Sequence, residues 1–469
     1  MSATATTEKK YLKWYQKLAY GSGDLASNCS YGLVSSFVLL YLTGTLGLDS
    51  AIIGSLMLAS KVLDGISDVI FGTLIDRTHS KLGKARPWML FGQVGVSLCL
   101  FLLFAIPAGS TTMQYIYFFI VYTALNAVFY TANGIAYSSL VALITKNNNE
   151  RVQLGSFRFM FAVVTNIFMG FAVTGMVEKF GSGAAGWRTT ALIFAIVGLV
   201  VNTISCLAVK ELPEEELSDN APEAGTDTKA APEEKRGFAE TVKLLIHNKY
   251  YLMLLAIYIV YYIMSNLTTG AGVFCATYYW GDGSLLGQFS MMKMFPVIIA
   301  LAIAPVLIKK TGSMQKVNFW GYAISSVLGI PMIYFAMQKN ISMFLLFMFI
   351  KGIFAGTLSG SLNALIAEAS GYTTRTTGVH MDGMMYSCSS LGVKVGGGIG
   401  TAAVGWLLKL GGFVGTATVQ SESAIRMIFN LYITFPFVIG IIITVLLAFL
   451  DVEKANKKWD AEHQKEAQA

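Results

Sequence analysis

Residues 61–88 read KVLDGISDVIFGTLIDRTHSKLGKARPW. The first half is apolar except for a few side chains, and spacings of three and four put Lys61, Asp64 and Asp68 on one helical face. Ser67 sits beside them. Extended back to position 50, the apolar stretch is long enough for a helix crossing a hydrocarbon core of about 30 Å. The second half is a short loop carrying Arg77, Lys81, Lys84 and Arg86 ahead of a second apolar run. Short basic loops between apolar runs mark the cytoplasmic side of a multi-pass membrane protein.

The rest of the chain agrees. Its 469 residues are 54% hydrophobic and 13% charged, with mean hydropathy +0.58, whereas soluble domains carry roughly a quarter charged residues. Stretches such as Trp88–Pro107, Ala191–Val209 and Ile433–Leu450 are also of spanning length. No alternating segments of about ten residues suggest a β-barrel. Breaks at polar and Pro/Gly-rich points predict twelve spans near 19–47, 50–76, 87–107, 113–145, 152–180, 187–209, 250–279, 285–308, 317–337, 341–370, 377–410 and 425–450. The expected fold is all-α: twelve transmembrane helices in two six-helix halves.

Basic residues set the expected orientation. Lys9, Lys10, Lys13, Lys17, then Arg77 to Arg86, Lys146, Arg151, Lys309, Lys310, Lys316, Lys454, Lys457 and Lys458 fall on one side. The other holds little beyond Lys179, Arg188, Lys339 and Arg426. Positive charge collects in the cytoplasm, so both termini (1–18 and 451–469) are expected there, with no signal peptide. Residues 211–249 open as ELPEEELSDNAPEAG and read as a cytoplasmic linker between bundles at 19–210 and 250–450. The loops two spans into each half, GTLIDRTHSKLGKARPW (72–88) and APVLIKKTGSMQKVNFW (304–320), look alike, as an internal duplication requires.

Ionised groups are costly in lipid, so the few inside spans invite a functional reading. Two carboxylates one turn apart repel unless a proton or cation lies between them, and carboxylate and hydroxyl oxygens suit sodium-like ions. Asp64 and Asp68 with Ser67 are therefore a candidate cation site; a structural pairing with Lys61 is the plainer alternative. Arg158 (GSFRFMFA) and Lys394 (SLGVKVGGG) stand in otherwise uncharged spans. They could read an anionic or hydroxylated ligand or simply pair with Asp24 or the aspartates. Gly392, Gly396 and Gly400 read as close helix packing or a flexible hinge. The five scattered cysteines, the four histidines and the absence of a Walker motif suggest no disulfide, no metal centre beyond a sodium at Asp64 and Asp68, no cofactor and no ATP-driven step.

With these residues in hand, YGSGDLASN (20–28), residues 61–88, ERVQLGSFR (150–158) and MMYSCSSLGVK (384–394) resemble the glycoside-pentoside-hexuronide cation symporters, the melibiose-permease group of the major facilitator superfamily. That resemblance implies two six-helix halves alternating access to a sugar. It also implies a sodium or proton coupling site at Asp64, Ser67, Asp68 and Thr131. Substrate residues implied are Asp24, Asn28, Gly134, Ser138, Arg158, Asn363 and Lys394, with Lys61, Asp76, Arg77 and Arg86 in charge pairing or gating. Asn28, Gly134, Ser138 and Asn363 depart from the melibiose pattern, which leaves both neutral glycosides and acidic hexuronides open. The expectation is a monomeric inner-membrane symporter of a small sugar and a monovalent cation, in contact with the lipid bilayer and not nucleic acid. It is not an enzyme. An uncoupled facilitator or a transport-deficient sensor of the same fold is the alternative.

Overall fold

The computed structural model describes residues 9–213, 216, 245–378, 382–417 and 419–466, all helix and connections, with no strand among them. Twelve long helices follow the predicted order. The first six are α1 (Trp14–Thr45), α2 (Ser50–Asp76), α3 (Arg86–Leu103), α4 (Thr111–Ile144), α5 (Asn148–Lys179) and α6 (Gly183–Leu207). Then come α7 (Lys249–Trp280), α8 (Leu285–Thr311), α9 (Met314–Met337), α10 (Ile341–Thr377) and α11 (Ser387–Leu410). The twelfth, α12, runs from Glu422–Phe429 through Asn430–Thr434 into Phe435–Phe449. Most of the linker expected at 211–249 lies outside the described residues.

Local chemistry explains the boundaries. Side chains of Asp49, Ser110, Asn147, Asn248, Ser313, Asn340 and Ser421 accept the first free backbone N–H groups of α2, α4, α5, α7, α9, α10 and α12. Pro87 opens α3, where its missing N–H costs nothing. Gly312 closes α8 at φ 64°, a left-handed conformation that side chains resist. Among the described residues, eleven helices are long and apolar enough to span by composition alone; α2, 27 residues long, is the twelfth and carries Lys61, Asp64 and Asp68. On α2 the usual soluble pattern is inverted, since Val62, Leu63, Ile66, Val69 and Ile70 are exposed while the charged face is half-buried. Helices that bury charge and expose apolar side chains belong in lipid.

The helices divide into two compact units, α1–α6 and α7–α12. In the first, α1 packs on α5 and α6, α3 on α4 and α6, and α2 on α4. In the second the same pairings recur six helices on: α7 with α11 and α12, α9 with α10 and α12, α8 with α10. A matching detail repeats as well. Glu211, just after α6, accepts the backbone N–H groups of Lys84, Ala85 and Arg86 at the start of α3 (2.7–3.0 Å). Glu453, just after α12, accepts those of Met314 (2.7 Å) and Gln315 (3.3 Å) at the start of α9. A carboxylate there satisfies orphan donors and complements the helix dipole.

Three features were not read from the sequence. Glu211, the first residue of the expected linker, is an anchor of the first unit. The segment after α12 forms a helix, α13 (Val452–Glu466), held through buried Glu453 and through Asn456, which donates to Glu368 at 2.8 Å. Helix α10 runs on to Thr377, seven residues past the predicted end, and α11 starts only at Ser387 after a single turn at Asp382–Met385.

Candidate functional site

The first unit holds the predicted site residues of α1, α2, α4 and α5. Its assembly begins at GSGD (21–24): a Cβ at Gly21 would lie 2.6 Å from the Phe157 side chain, and one at Gly23 2.7 Å from the Tyr137 ring. The missing side chains let α1 lie directly on α4 and α5. Asp24 then meets Arg158, whose Nε donates to Oδ2 at 2.5 Å. The guanidinium lies 4.2 Å from the centre of the Tyr137 ring, a cation–π contact that holds the fork flat. Tyr137 is fixed in turn: its hydroxyl donates to the Tyr20 carbonyl (2.8 Å) and lies 3.3 Å from Asp24 Oδ2.

Asp24, Asn28 and Tyr31 share one face of α1. Asn28 donates to the Asp24 carbonyl at 2.7 Å and accepts from Asn166 of α5 at 2.9 Å. Tyr31 stacks on Tyr130 (5.4 Å between ring centres), and the Lys61 ammonium lies 5.6 Å from the Tyr31 ring centre. The α1 face thus connects the Asp24–Arg158 pair to the acidic face of α2.

There Lys61 Nζ is 3.5 Å from Asp64 Oδ2, both side chains being less than one-fifth exposed. Thr131 places its hydroxyl 2.6 Å from Asp64 Oδ1 and 2.9 Å from the Asn126 carbonyl. Asn126 lies in a π-helical stretch of α4, Ala124–Tyr130. In the widened turn the Asn126 carbonyl, five residues back, accepts from the Thr131 backbone N–H and also lies within reach of its hydroxyl; such bulges recur at functional sites. Ser67 donates to the Asp64 carbonyl of its own helix at 2.9 Å, which leaves its oxygen lone pairs for a cation. Asp68 is half-buried on the same face. Gly134 and Ser138 continue the Thr131 face of α4, and a Cβ at Gly134 would meet nothing within 4 Å. The face is open at the two positions where a sugar contact is expected.

In the second unit, Asn363 of α10 accepts from the Tyr258 hydroxyl at 2.9 Å, and Lys394 is half-buried on α11. Gly392, Gly396 and Gly400 press against Tyr258, Ile259 and Ile263 of α7, where a Cβ would come within 2.6 Å or less, as their spacing suggests. The pairing role expected of Asp76 and Arg77 is not seen: both are exposed, and among the described residues neither makes an ion pair. Arg86 is buried and donates from Nε to the Cys206 carbonyl (3.2 Å) rather than to a carboxylate. It joins α3 to α6.

Sequence reasoning missed three polar groups inside helices: Asn166, Lys293 of α8 and Lys351 of α10. The two lysines carry the same signal as Arg158 and Lys394, a lone cation among apolar residues.

The family model described as MFS/sugar transport protein matches residues 19–454. The chain belongs to this family. It is a multi-pass membrane transporter and not an enzyme, in agreement with the resemblance to the melibiose-permease group. The isoprimeverose transporter of Lactiplantibacillus pentosus is 26% identical over 98% of this chain and 93% of its own. The uncharacterized symporter YnaJ of Bacillus subtilis is 25% identical over 95% and 92%. Among solved structures, a bacterial homologue of the human lysosomal transporter Spinster superposes with TM-score 0.67 at 14% identity, covering 95% of this chain and 98% of that one. At that identity the likeness bears on the fold alone.

Proposed function

We propose that this protein moves a glycoside or hexuronide into the cell together with a monovalent cation, sodium or proton, by alternating access of its two halves. The observation that carries the reading is the contact between Asp64 and Thr131, 2.6 Å across two helices. Ser67 and Asp68 stand on the same half-buried face of α2, and carboxylate and hydroxyl oxygens are the donors a hard cation prefers. Asp24, Asn28, Gly134, Ser138 and Arg158 are the proposed sugar contacts of the first unit, and Asn363 and Lys394 those of the second. The relatives named as symporters and as an isoprimeverose transporter support a coupled sugar carrier.

Uptake into proteoliposomes at fixed membrane potential tests the proposal. A sodium or pH gradient is expected to raise accumulation of a labelled glycoside or hexuronide above the equilibrium level. Lys61 favours a second reading: its ammonium already neutralises Asp64 at 3.5 Å, so a permanent internal cation could replace the ion and leave an uncoupled facilitator. Equilibration that never exceeds the outside concentration, whatever the gradient, selects that reading.

The termini and the 211–249 linker are proposed to be cytoplasmic, on the distribution of lysine and arginine. Gly225→Cys checks it with little background, because all five native cysteines are buried. The new thiol is expected to react with an impermeant maleimide in inside-out vesicles and not in intact cells; labelling of intact cells reverses the orientation.

A further inference from the structure

The second unit holds a partly open cavity of about 190 Å³ between α7, α8, α9, α10 and α12, lined by methionine and aromatic side chains together with serines and small residues. Two lysines reach it, Lys293 from α8 and Lys351 from α10. The helices bring them to one level. A Cβ at Gly352 would lie 2.8 Å from Pro296 and 3.6 Å from the Met292 carbonyl, and one at Gly356 2.7 Å from Ala300. The four-residue glycine spacing thus sets α10 directly on the α8 turn that carries Lys293.

Lys293 donates to the Thr268 and Thr269 hydroxyls of α7, 3.2 Å to each. Thr268 and Thr269 can accept because their own protons go to backbone carbonyls one turn back (2.8–3.0 Å). Lys351 makes no hydrogen bond or ion pair among the described residues. Nor does a carboxylate line the cavity. The five surrounding helices hold only Glu368 and Glu422, and both are engaged near helix ends: Glu368 with Asn456 at 2.8 Å and Glu422 with Arg426 at 3.0 Å. Glu368 stands about 25 Å along α10 from Lys351 at 1.5 Å per residue.

Two ammonium groups facing one apolar cavity, with no acidic residue to offset them, repel each other and lack a counter-charge. We propose that this cavity is a binding site for a compact organic carboxylate. Its anionic head sits between Lys293 and Lys351, within reach of the Ser265 and Tyr261 hydroxyls that also line the space. Its apolar body fills the Met264, Met292, Met348 and Phe344 side. The volume suits a single ring, since cavities of about 150 Å³ accept benzene. None of the residues proposed for sugar or cation lines the cavity, so the assignment stands apart from the symport reading.

Radiolabelled benzoate binding to the purified, detergent-solubilised full-length protein tests it. Saturable binding is expected, with unlabelled benzoate competing and benzyl alcohol, its neutral analogue, failing to compete. Lys293→Met and Lys351→Met, which remove the ammonium and keep the apolar stem, should each weaken benzoate at least tenfold. The double variant should bind none, and Lys351→Arg should retain most of the affinity. Melting curves show that each variant is folded. The proposal is overturned by absence of saturable binding to the unmodified protein, by benzyl alcohol competing equally, or by full binding in the folded double variant. Chloride displacing benzoate at equal concentration would make it an inorganic-anion site and overturn the organic-carboxylate assignment.

Discussion

Asp64→Asn and Asp68→Asn are each expected to abolish cation-driven sugar accumulation while sparing part of the downhill flux. The amide keeps an oxygen that can still accept from Thr131, now 2.6 Å from Asp64 Oδ1, so the substitution removes charge more than contact. Without that charge the ion loses its main attraction, and binding of ion and sugar uncouples. Coupling is reciprocal: the factor by which the ion tightens sugar binding, commonly about 5–150-fold, equals the factor by which sugar tightens the ion. Calorimetric titration of each ligand with and without the other should recover one factor in the unmodified protein and a factor near one in either variant. Asp64→Asn also strands Lys61, and removing one partner of a buried pair costs about 3–5 kcal/mol. Lys61→Met with Asp64→Asn restores neutrality, so that a folded double variant separates lost coupling from lost stability. Sugar affinity indifferent to sodium, lithium and pH in the unmodified protein would leave Asp64 and Lys61 as a structural pair.

Arg158→Ala carries the second large effect. The side chain donates Nε–H to Asp24 at 2.5 Å and lies against the Tyr137 ring, which leaves the Nη fork for a ligand carboxylate or vicinal hydroxyls. A charged hydrogen bond contributes about 1.5–3 kcal/mol, so loss of a bidentate contact should weaken a hexuronide by two orders of magnitude or more. A neutral glycoside should lose less. Arg158→Lys keeps the charge and loses the fork; it should recover part of the hexuronide affinity and little of the orientation. Binding isotherms for one acidic and one neutral sugar decide the matter, and equal loss of both in a folded variant removes anion reading from Arg158.

Much of this was legible in the chain. The α2 helix spans Ser50–Asp76 as its apolar pattern predicts, and Lys61, Asp64 and Asp68 share its less exposed face, because three- and four-residue spacing is fixed by helix geometry. Helices α2 and α10 begin at Ser50 and Ile341, where their apolar runs are expected to start, and Asp49 and Asn340 cap the turns that follow. Lys293 and Lys351 carried the same signal of intramembrane charge as Arg158 and Lys394 and went unread. The partners of Lys293 are hydroxyls on a different helix, and no spacing rule links a lysine to a threonine there. Asn166, Glu211 and Glu453 were hidden for the same reason, each acting on an element far away in sequence.

The sequence by itself determined a membrane-spanning helical protein, because hydropathy and helical periodicity are properties of each segment taken alone, and its motifs at 20–28, 61–88, 150–158 and 384–394 carried the family resemblance. Only the tertiary structure decided which faces meet. Asp64 finds Thr131 across 67 positions, and Asp24 finds Arg158 across 134. Asp76 and Arg77, adjacent in a conspicuous motif, make no ion pair among the described residues. Such choices follow from how closely helices approach at Gly21, Gly23 and Gly352, and from where α4 widens to turn Thr131 toward α2. Side-chain partnership in a bundle is set by packing between helices, which local spacing does not encode.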